Sequence, residues 1–386
     1  MVHTLTYAQR LRHVLSLLES DLRIQVVFTV APHAFGDGVL PYLHGMGITV
    51  IPWKEAVRTR FDLALAAGSR GMDRIKAPVV RMSHGAGHIK LIREAERTNG
   101  AEGRTAGMLS REYLMRDGRV VPAALALAHS ADLRALASSC PQALPIASVV
   151  GDPDYDLLTA GLSRRAAYRR ALGLREGQRL VLITSTWGKS SSFGRWGALL
   201  PRLVSELPRR SFRTAVLVHP NVWAGHGRWQ MRAWTMRFRE HGVSLIPPEA
   251  DWRPLLTASD WIIGDHGSLT VYGTLTNAAI LLASYPDDEV SPDSPAALLA
   301  RTVPALSPAH PLRDQLRYAA EQRDVRAYRK VADLLTSEPG RFNRRMRALV
   351  YRRLGLGEPA VVPASEPPVM PSRLGHWSGT RRDVAV

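Results

Sequence analysis

The chain has 386 residues, a hydrophobic fraction of 45% and a formal net charge of +17. Two domains are expected, because one hydrophobic core rarely serves a chain of this length. The single cysteine, Cys140, excludes an intramolecular disulfide and a cysteine-cluster metal site, and no apolar run approaches the roughly 20 residues that span a bilayer.

The first part of the chain alternates helix and strand signals. A helical apolar stripe covers 7–19, a β-rich run covers 23–30, and Gly36 belongs to a glycine turn that leads into a helix. Short apolar runs recur at 47–51, 61–67, 77–82, 106–109, 123–128 and 146–150. Such runs are typical of parallel strands buried under helices. Residues 1–150 are therefore predicted to form a doubly wound, Rossmann-like α/β domain.

The segment 151–156, Gly-Asp-Pro-Asp-Tyr-Asp, interrupts this pattern, and a basic helix is predicted at 162–173. Further strand signals follow at 179–184, 213–218, 242–246, 260–264 and 278–283. They predict a second Rossmann-like α/β domain at 151–335. Ligands of such folds bind beyond the carboxyl ends of the strands, so the two domains are expected to face a cleft.

The C-terminal part contains two more helical patterns, at 311–335 and 341–354. The second belongs to a basic closing helix at 336–356, and two interpretations of it stay open. Its apolar stripe either packs on the body of the protein or lies in the surface of an anionic membrane. Prolines and small residues predict a disordered tail over 357–386.

A histidine follows one predicted strand in the first domain. His84 and Gly85 come directly after the run 77–82, with His88 and Lys90 a few residues on. An imidazole at this position can remove a proton from an attacking hydroxyl, and a lysine can neutralise phosphate. The alternative is a loop histidine that caps a helix.

The second domain repeats this arrangement at two strand ends. His219 precedes Pro220 after the run 213–218, where an imidazole could hold a diphosphate oxygen. Thr186, Trp187 and Lys189 follow the run 179–184 and resemble a phosphate cradle, although the spacing of a P-loop is absent.

A third strand end carries a turn with small polar residues. Asp265, Gly267, Ser268 and Thr270 follow the strand 260–264 and lead into a predicted helix. Unpaired N–H groups at a helix start favour phosphate, and a glycine permits close approach of the ligand. No His, Asp or Glu set has metal-ligand spacing, so we expect neither a metal nor a cofactor. The Gly-x-Ser-x-Gly elbow of serine hydrolases is absent.

Taken in order, these segments resemble the CDP-glycerol glycerophosphotransferase family of teichoic-acid primases and polymerases. The family pattern has five parts: a His-Gly motif, a Gly-x-Pro-x-x-Asp linker, a Thr-Trp loop, a His-Pro pair and a Ser-Asp-x-Ser-Ser turn. The counterparts here are His84-Gly85, the segment 151–156, Thr186-Trp187, His219-Pro220 and the segment 264–268. The match spans about residues 80–290.

This resemblance implies a GT-B architecture, with the acceptor side in residues 1–150 and the nucleotide donor mainly in residues 151–335. It also implies a reaction that releases CMP from a CDP-activated donor. His84 would be the base on the acceptor hydroxyl and His219 would bind donor phosphate. Asp265 and Ser268 would line the donor site. The implied acceptor is anionic or lipid-linked, as in a teichoic-acid-like polymer of the cell envelope.

The chain departs from the family pattern in three of its motifs. Ala86-Gly87 replace Thr-Pro, Gly188-Lys189 replace an arginine continuation, Gly267 replaces the first serine, and His266 occupies an aromatic position. Two alternatives therefore stay open. One is a GT-B glycosyltransferase or sugar-nucleotide 2-epimerase that uses a UDP- or GDP-sugar, and the other is a catalytically inactive nucleotide-binding relative.

Charge and the N-terminal residues predict location and partners. Arg10, Arg12, Glu19 and Asp21 interrupt the apolar residues that a signal peptide would need. We expect a cytoplasmic protein with peripheral contact to the inner face of an anionic membrane. Nucleic acid is not an expected partner, because no zinc finger or RRM motif is present.

Overall fold

The computed structural model describes residues 1–93 and 104–377 and divides the chain into two units. The first unit consists of Met1–Asp156 with Asp333–Ser365. The second consists of Leu157–Ala332 with the C-terminal residues from Glu366 onward. Each unit has its own hydrophobic core.

The first unit is built on a four-stranded parallel sheet. The strands of the first unit are β1 Ala64–Ala66, β2 Val79–Met82, β3 Leu91–Arg93, β4 Arg104–Ala106, β5 Met115–Arg116, β6 Arg119–Val120, β7 Ala124–Leu127 and β8 Ala147–Val149. Its first helices are α1 Leu5–Leu15, α2 Val39–Gly45, α3 Trp53–Ala56, α4 Arg111–Leu114 and α5 Ala131–Ser139. The parallel sheet has the order β1-β2-β7-β8, and every residue of β2 and β7 is buried. Burial on both faces explains why these strands are continuously apolar apart from Arg81.

Three predicted strands of this unit differ in the structure. The runs 23–30 and 47–51 make only single bridges, from Phe28 to Val50 and from Val30 to Val2. Arg23 and Gln25 are exposed, whereas Ile24 and Val26 pack against the core of the first unit. The run 106–109 is divided between β4, which pairs antiparallel with β3, and a 3-10 turn over Gly107–Leu109.

The segment 151–156 joins parts of the first unit. Asp152 and Asp154 accept hydrogen bonds from the buried Arg10 at 2.8 and 2.6 Å, which ties them to α1. The Asp156 carboxylate accepts from the backbone N–H groups of Gly340 and Phe342. The acidic residues of this segment therefore stabilise the fold of the first unit.

The second unit contains a five-stranded parallel sheet. Its strands are β9 Arg179–Ser185, β10 Phe212–Val218, β11 Val243–Leu245, β12 Trp261–Gly264 and β13 Ala279–Leu282. The sheet order is β11-β10-β9-β12-β13. In chain order this is 3-2-1-4-5, the order of a Rossmann-type sheet, and the order reverses between β9 and β12. Ligands of such sheets bind at this switch point.

Helix α6 Pro153–Gly161 begins in the first unit and ends in the second. The helices that follow it are α7 Arg165–Ala171, α8 Trp196–Glu206, α9 Pro220–His226, α10 Arg228–Arg239, α11 Arg253–Ala258, α12 Ser268–Tyr272, α13 Pro295–Thr302, α14 Leu312–Glu321 and α15 Val325–Asp333. The helix predicted at 311–335 is thus two helices. The break occurs at Asp324, whose carboxylate accepts from the N–H groups of Arg326 and Ala327 and so starts α15.

The C-terminal part supplies α16 Phe342–Leu354 and α17 Leu374–Trp377. The apolar stripe of α16, including Phe342, Met346 and Val350, lies in the core of the first unit. This agrees with the interpretation of a packed closing helix and leaves no apolar face of α16 for a membrane surface.

The tail predicted to be disordered differs from the structure over 357–377. Residues 357–365 belong to the first unit, where the Asn343 side-chain amide donates to the Pro363 carbonyl oxygen at 2.9 Å. In the second unit, the buried Tyr168 hydroxyl donates to the Pro368 carbonyl at 2.7 Å and Leu374 is fully buried. Composition alone missed these specific contacts. Residues 378–386 lie outside the described part of the chain.

The predicted fold class is confirmed. Both units are α/β with parallel sheets and helices, as the short apolar runs indicated. No helix within 1–93 or 104–377 has the length and apolar character to cross a membrane.

Candidate functional site

Four strand ends of the second unit carry polar residues along one edge of the sheet. His219 follows β10, Thr186 follows β9, Asp265 follows β12 and Ser284 lies shortly after β13. These strands are neighbours and parallel, so their carboxyl ends meet at the same edge. Asp265 and Thr186 flank the switch point between β9 and β12.

Asp265 links the loops on both sides of this switch point. It is fully buried, and its carboxylate accepts from the backbone N–H groups of Thr186 at 3.0 Å, Ser192 at 2.8 Å and Gly267 at 2.9 Å. The Ser185 hydroxyl lies 3.4 Å from the same carboxylate. Its oxygens are therefore engaged inside the protein, and Asp265 positions the surrounding loops.

Two glycines allow these loops to lie close together. A β-carbon on Gly264 would lie 2.2 Å from the Thr184 and Thr270 hydroxyl oxygens. A β-carbon on Gly267 would lie 2.9 Å from an Asp265 carboxylate oxygen and 3.0 Å from the Thr186 β-carbon. Close packing against Thr186 explains why a glycine occupies position 267, where the family pattern has serine.

The helix after this turn is shorter than the sequence suggests. α12 has five residues before it tightens into a 3-10 turn, so its dipole is small. The Thr270 hydroxyl is buried and lies 2.9 Å from the Thr184 hydroxyl, which assigns it to the interior. Gly267 and Ser268 are half-buried at the sheet edge and are the residues of this turn that a ligand can approach.

The loop after β9 presents two of its predicted residues to solvent. Trp187 is 39% exposed and Lys189 is exposed, whereas Thr186 is buried beside Asp265. Gly188 has a φ of +106°, which explains a glycine at this position. The loop returns at Gly194, where a β-carbon would lie 2.4 Å from the Lys189 carbonyl oxygen. Lys189 is thus an exposed cation on a loop whose backbone packs closely against Gly194.

His219 has a defined tautomer. The ring Nδ1 of His219 accepts a hydrogen bond from the Asn221 backbone N–H at 3.1 Å. The backbone N–H of His219 donates to the Ser185 carbonyl oxygen. A ring that accepts through Nδ1 is neutral and carries its proton on Nε2. The half-buried ring therefore caps α9 and also has an N–H donor of the kind that binds a phosphate oxygen.

In the first unit, four rings form a row that ends at His84. Ring centroids are 5.9 Å apart between His33 and His3, 5.7 Å between His3 and Tyr7, and 4.4 Å between Tyr7 and His84. A β-carbon on Gly68 would lie 2.4 Å from the Tyr7 ring, so the row packs tightly on the loop after β1. Gly36 lies nearby in sequence to His33, and its added β-carbon would lie 3.3 Å from the His33 carbonyl oxygen.

His84 is held as a neutral imidazole. Its Nδ1 lies 3.3 Å from the Ala67 carbonyl oxygen, which favours a proton on Nδ1 and a lone pair on Nε2. Burial lowers the pKa of His84 to about 3, although the hydrogen bond to Ala67 acts in the opposite direction. A neutral ring oriented in this way presents the Nε2 lone pair to a hydroxyl, although a pKa of about 3 makes the ring a weak proton acceptor at physiological pH.

The remaining predicted residues of the first unit have different surroundings. The His88 ring lies 3.7 Å from the Asp132 carboxylate, and burial lowers the pKa of His88. Gly85 adopts a φ of +76°, which favours glycine after His84. Lys90 is half-buried shortly before β3. These residues share the segment that leaves β2, and all of them belong to the first unit.

Sequence reasoning missed one charged residue beside His84. Arg81 lies in β2, is 1% exposed, and donates from Nε to the Ser69 hydroxyl at 2.7 Å. Its position in a buried apolar strand is an available signal, because arginine is almost never fully buried without a partner. Among the described residues, no three His, Cys, Asp or Glu side chains are grouped as a metal site.

Comparisons with known proteins identify the fold. No family model and no curated protein sequence matches this chain. A histidine-to-asparagine variant of the wall teichoic acid polymerase TagF, soaked with CDPG, is 10% identical over 92% of this chain and 84% of that chain, with a TM-score of 0.54. A histidine-to-alanine variant of TagF is 13% identical over 79% and 76% of the two chains, with a TM-score of 0.53.

A third structure, HepE of Anabaena with UDP-glucose, is 14% identical over 84% of this chain and 87% of that chain, with a TM-score of 0.43. In another TagF structure the match spans 66% of the TagF chain. At such identities the likeness concerns the fold. The resemblance to teichoic-acid polymerases and the GT-B type are therefore confirmed as a shared fold.

Proposed function

We propose that this protein is a transferase that moves a polyol-phosphate group from a CDP-activated donor to a hydroxyl acceptor and releases CMP. The main observation behind this proposal is the group of polar residues at the switch point of the second sheet, where the Asp265 carboxylate holds the loops after β9 and β12 together. The fold shared with TagF supports this choice.

The second unit supplies the donor site in this proposal. The Nε2–H group of His219 donates to a diphosphate oxygen, and Lys189 adds positive charge near the same phosphates. Gly267 and Ser268 are half-buried at the same edge. Asp265 is a positioning residue, because its carboxylate is engaged by three backbone N–H groups.

The first unit supplies the base. Nε2 of His84 accepts the proton of the acceptor hydroxyl, and the hydroxyl oxygen bonds to the β-phosphorus of the donor. The bond from that phosphorus to the oxygen bridging the two phosphates breaks, and CMP leaves with the electron pair. Catalysis then rests on positioning and on stabilisation of phosphoryl charge.

Donor choice is tested by thermal stabilisation. Purified protein is heated with CDP-glycerol, CDP-ribitol, CDP, UDP-sugars or GDP-sugars, and a ligand at about 100 times its Kd adds roughly 2.7 kcal/mol to the free energy of unfolding. A response to cytidine ligands alone is expected. A response to uridine or guanosine ligands alone would contradict the proposal and indicate sugar transfer or epimerisation.

Catalysis is tested by CMP release with candidate hydroxyl acceptors. We expect His84→Ala to lower the rate by roughly 100- to 10,000-fold with donor binding unchanged, because general-base catalysis contributes that factor. His219→Ala should instead weaken donor binding. His241→Ala, at an exposed position, is the matched control. Binding without turnover by any acceptor would favour an inactive relative.

Contact with an anionic membrane stays a prediction from the net charge.

A further inference from the structure

The guanidinium of Arg81 has unused hydrogen-bonding capacity. Nε donates to Ser69, but Nη1 and Nη2 are buried and have no hydrogen-bond partner among the described residues. No carboxylate in the described part of the chain pairs with Arg81. Burial lowers the pKa of Arg81 to about 10, which still leaves it charged at physiological pH.

The other buried arginines of the described chain are compensated. Arg10 pairs with Asp152 and Asp154, Arg253 with Asp251, and Arg347 lies 3.9 Å from Glu358. Burying a cation without a counter-ion opposes folding. Arg81 therefore differs from these arginines in lacking an internal counter-ion.

The surroundings of Arg81 favour an anion. Burial is the main cause of the lowered pKa values of His84 and His88, and the charge of Arg81 contributes to both. Arg10 also lowers the pKa of His84, whereas the Asp132 carboxylate raises that of His88. The Tyr7 and Tyr113 phenols are close enough to raise the pKa of Arg81 and can donate hydrogen bonds to an oxyanion. Ser69, which accepts the hydrogen bond from Arg81, and His84 are both half-buried.

We infer that Arg81 is the centre of an anion subsite in the first unit, which takes a phosphate group carried by the acceptor. Two free N–H-bearing nitrogens in one plane match two oxygens of a phosphate in a bidentate pair. The anion site is independent of the donor's identity. Its assignment to the acceptor rests on the proposed function, because it places the acceptor phosphate near the base His84.

The test separates a ligand-binding arginine from a structural one. Arg81→Met replaces the guanidinium by an apolar side chain of similar length, Arg81→Lys keeps the charge, and Arg58→Met removes an exposed charge of the same unit as a control. Thermal unfolding of the full chain is measured without anion, and with inorganic phosphate, glycerol 1-phosphate or CDP.

We expect both phosphates to stabilise the unmodified protein and Arg58→Met. Arg81→Met should unfold at the same or a higher temperature without anion, and bind the phosphates roughly 10- to 100-fold more weakly. Arg81→Lys should fall between. A lower unfolding temperature of Arg81→Met without anion, or an unchanged response to phosphate, would overturn the inference.

The CDP arm distinguishes the two sources of phosphate. If the subsite serves the acceptor, Arg81→Met keeps its response to CDP. Loss of the CDP response in this variant would assign Arg81 to the donor instead and overturn the acceptor assignment. Phosphate binding needs neither donor nor turnover, so the anion site is supported or rejected even if no transfer is found.

Discussion

Two histidines of the first unit are kept neutral by burial. The pKa of His84 is lowered to about 3 and that of His3 to about 4, with burial as the main cause in both. The ordinary value of 6.5 applies in the unfolded chain. Below pH 6.5 the unfolded chain therefore binds protons that the folded chain does not, and the folded state is disfavoured.

The first prediction concerns the pH dependence of stability. The free energy of unfolding should fall as pH decreases from 6.5 toward 4, by up to about 1.4 kcal/mol per pH unit for each of the two histidines. Urea unfolding between pH 4.5 and 7.5 measures this slope. His3→Gln keeps a donor for the Arg70 carbonyl and should flatten it. An equally steep slope in His3→Gln would exclude His3 as its source.

The second prediction concerns Asp265. Asp265→Asn places an amide N–H₂ group where the carboxylate now accepts from Thr186, Ser192 and Gly267. Asparagine keeps one of the two acceptor oxygens, so only the N–H groups that face the new amide lose their acceptor, and we expect a loss of roughly 2–5 kcal/mol in unfolding free energy. Nucleotide affinity should also fall, because the loops at the switch point lose their link.

Asp293→Asn, at an exposed position, is the control for this measurement. Urea unfolding and calorimetric titration with CDP are measured on both variants. A stable Asp265→Asn protein with unchanged affinity would show that the loops keep their positions without the carboxylate.

At the scale of elements, the second sheet depends on close approach between strand ends. Gly264 ends β12 beside the Thr184 and Thr270 hydroxyl groups, and these two hydroxyls hydrogen-bond to each other. The pairing of β12 with β9 brings Ile263 opposite Ile183, one residue before this contact. A side chain at position 264 would therefore separate the two strands at the switch point.

The third prediction follows from this contact. Gly264→Ala should lower the free energy of unfolding by about 1–3 kcal/mol, because overpacking displaces both threonines. Gly197→Ala is the matched substitution, since an added β-carbon meets no atom within 4 Å there and position 197 is helical. It should leave stability unchanged or raise it slightly. Equal effects of the two substitutions would contradict the packing argument.

At the scale of the whole molecule, each unit includes chain from distant parts of the sequence. Helix α16 completes the core of the first unit. The segment from Glu366 belongs to the second unit, where Tyr168 contacts Pro368 and the Leu374 N–H donates to the Leu172 carbonyl. C-terminal residues therefore stabilise both units.

The fourth prediction is that a chain ending at Ser365 has a less stable second unit. The Tyr168 hydroxyl would lose its acceptor, at about 1–3 kcal/mol, and the burial of Leu374 would be lost, at roughly 1.5–3 kcal/mol. Scanning calorimetry measures the unfolding of each unit. Tyr168→Phe should reproduce only the smaller part, and the exposed Val369→Ala should have no effect. A shortened chain with unchanged unfolding would refute this role.

Much of the fold could be predicted from the sequence, because burial of parallel strands on both faces leaves a local mark. The runs at 179–184, 213–218 and 260–264 are mainly apolar and correspond to β9, β10 and β12. The same logic places His84, His219 and Thr186 after strands, at the edge where Rossmann-type sheets bind ligands. The amino-acid sequence by itself thus determined the fold class and which residues lie at the carboxyl ends of the strands.

The tertiary structure decided what each of these residues does. Asp265 and Thr270 look like ligand-binding residues in sequence, but their oxygens are engaged by residues about 80 positions away in the chain. Arg81 looks like an interruption of a strand, and only its burial and missing counter-ion mark it as a candidate site. Hydrogen-bond partners and desolvation depend on residues distant in sequence, so no local pattern reveals them.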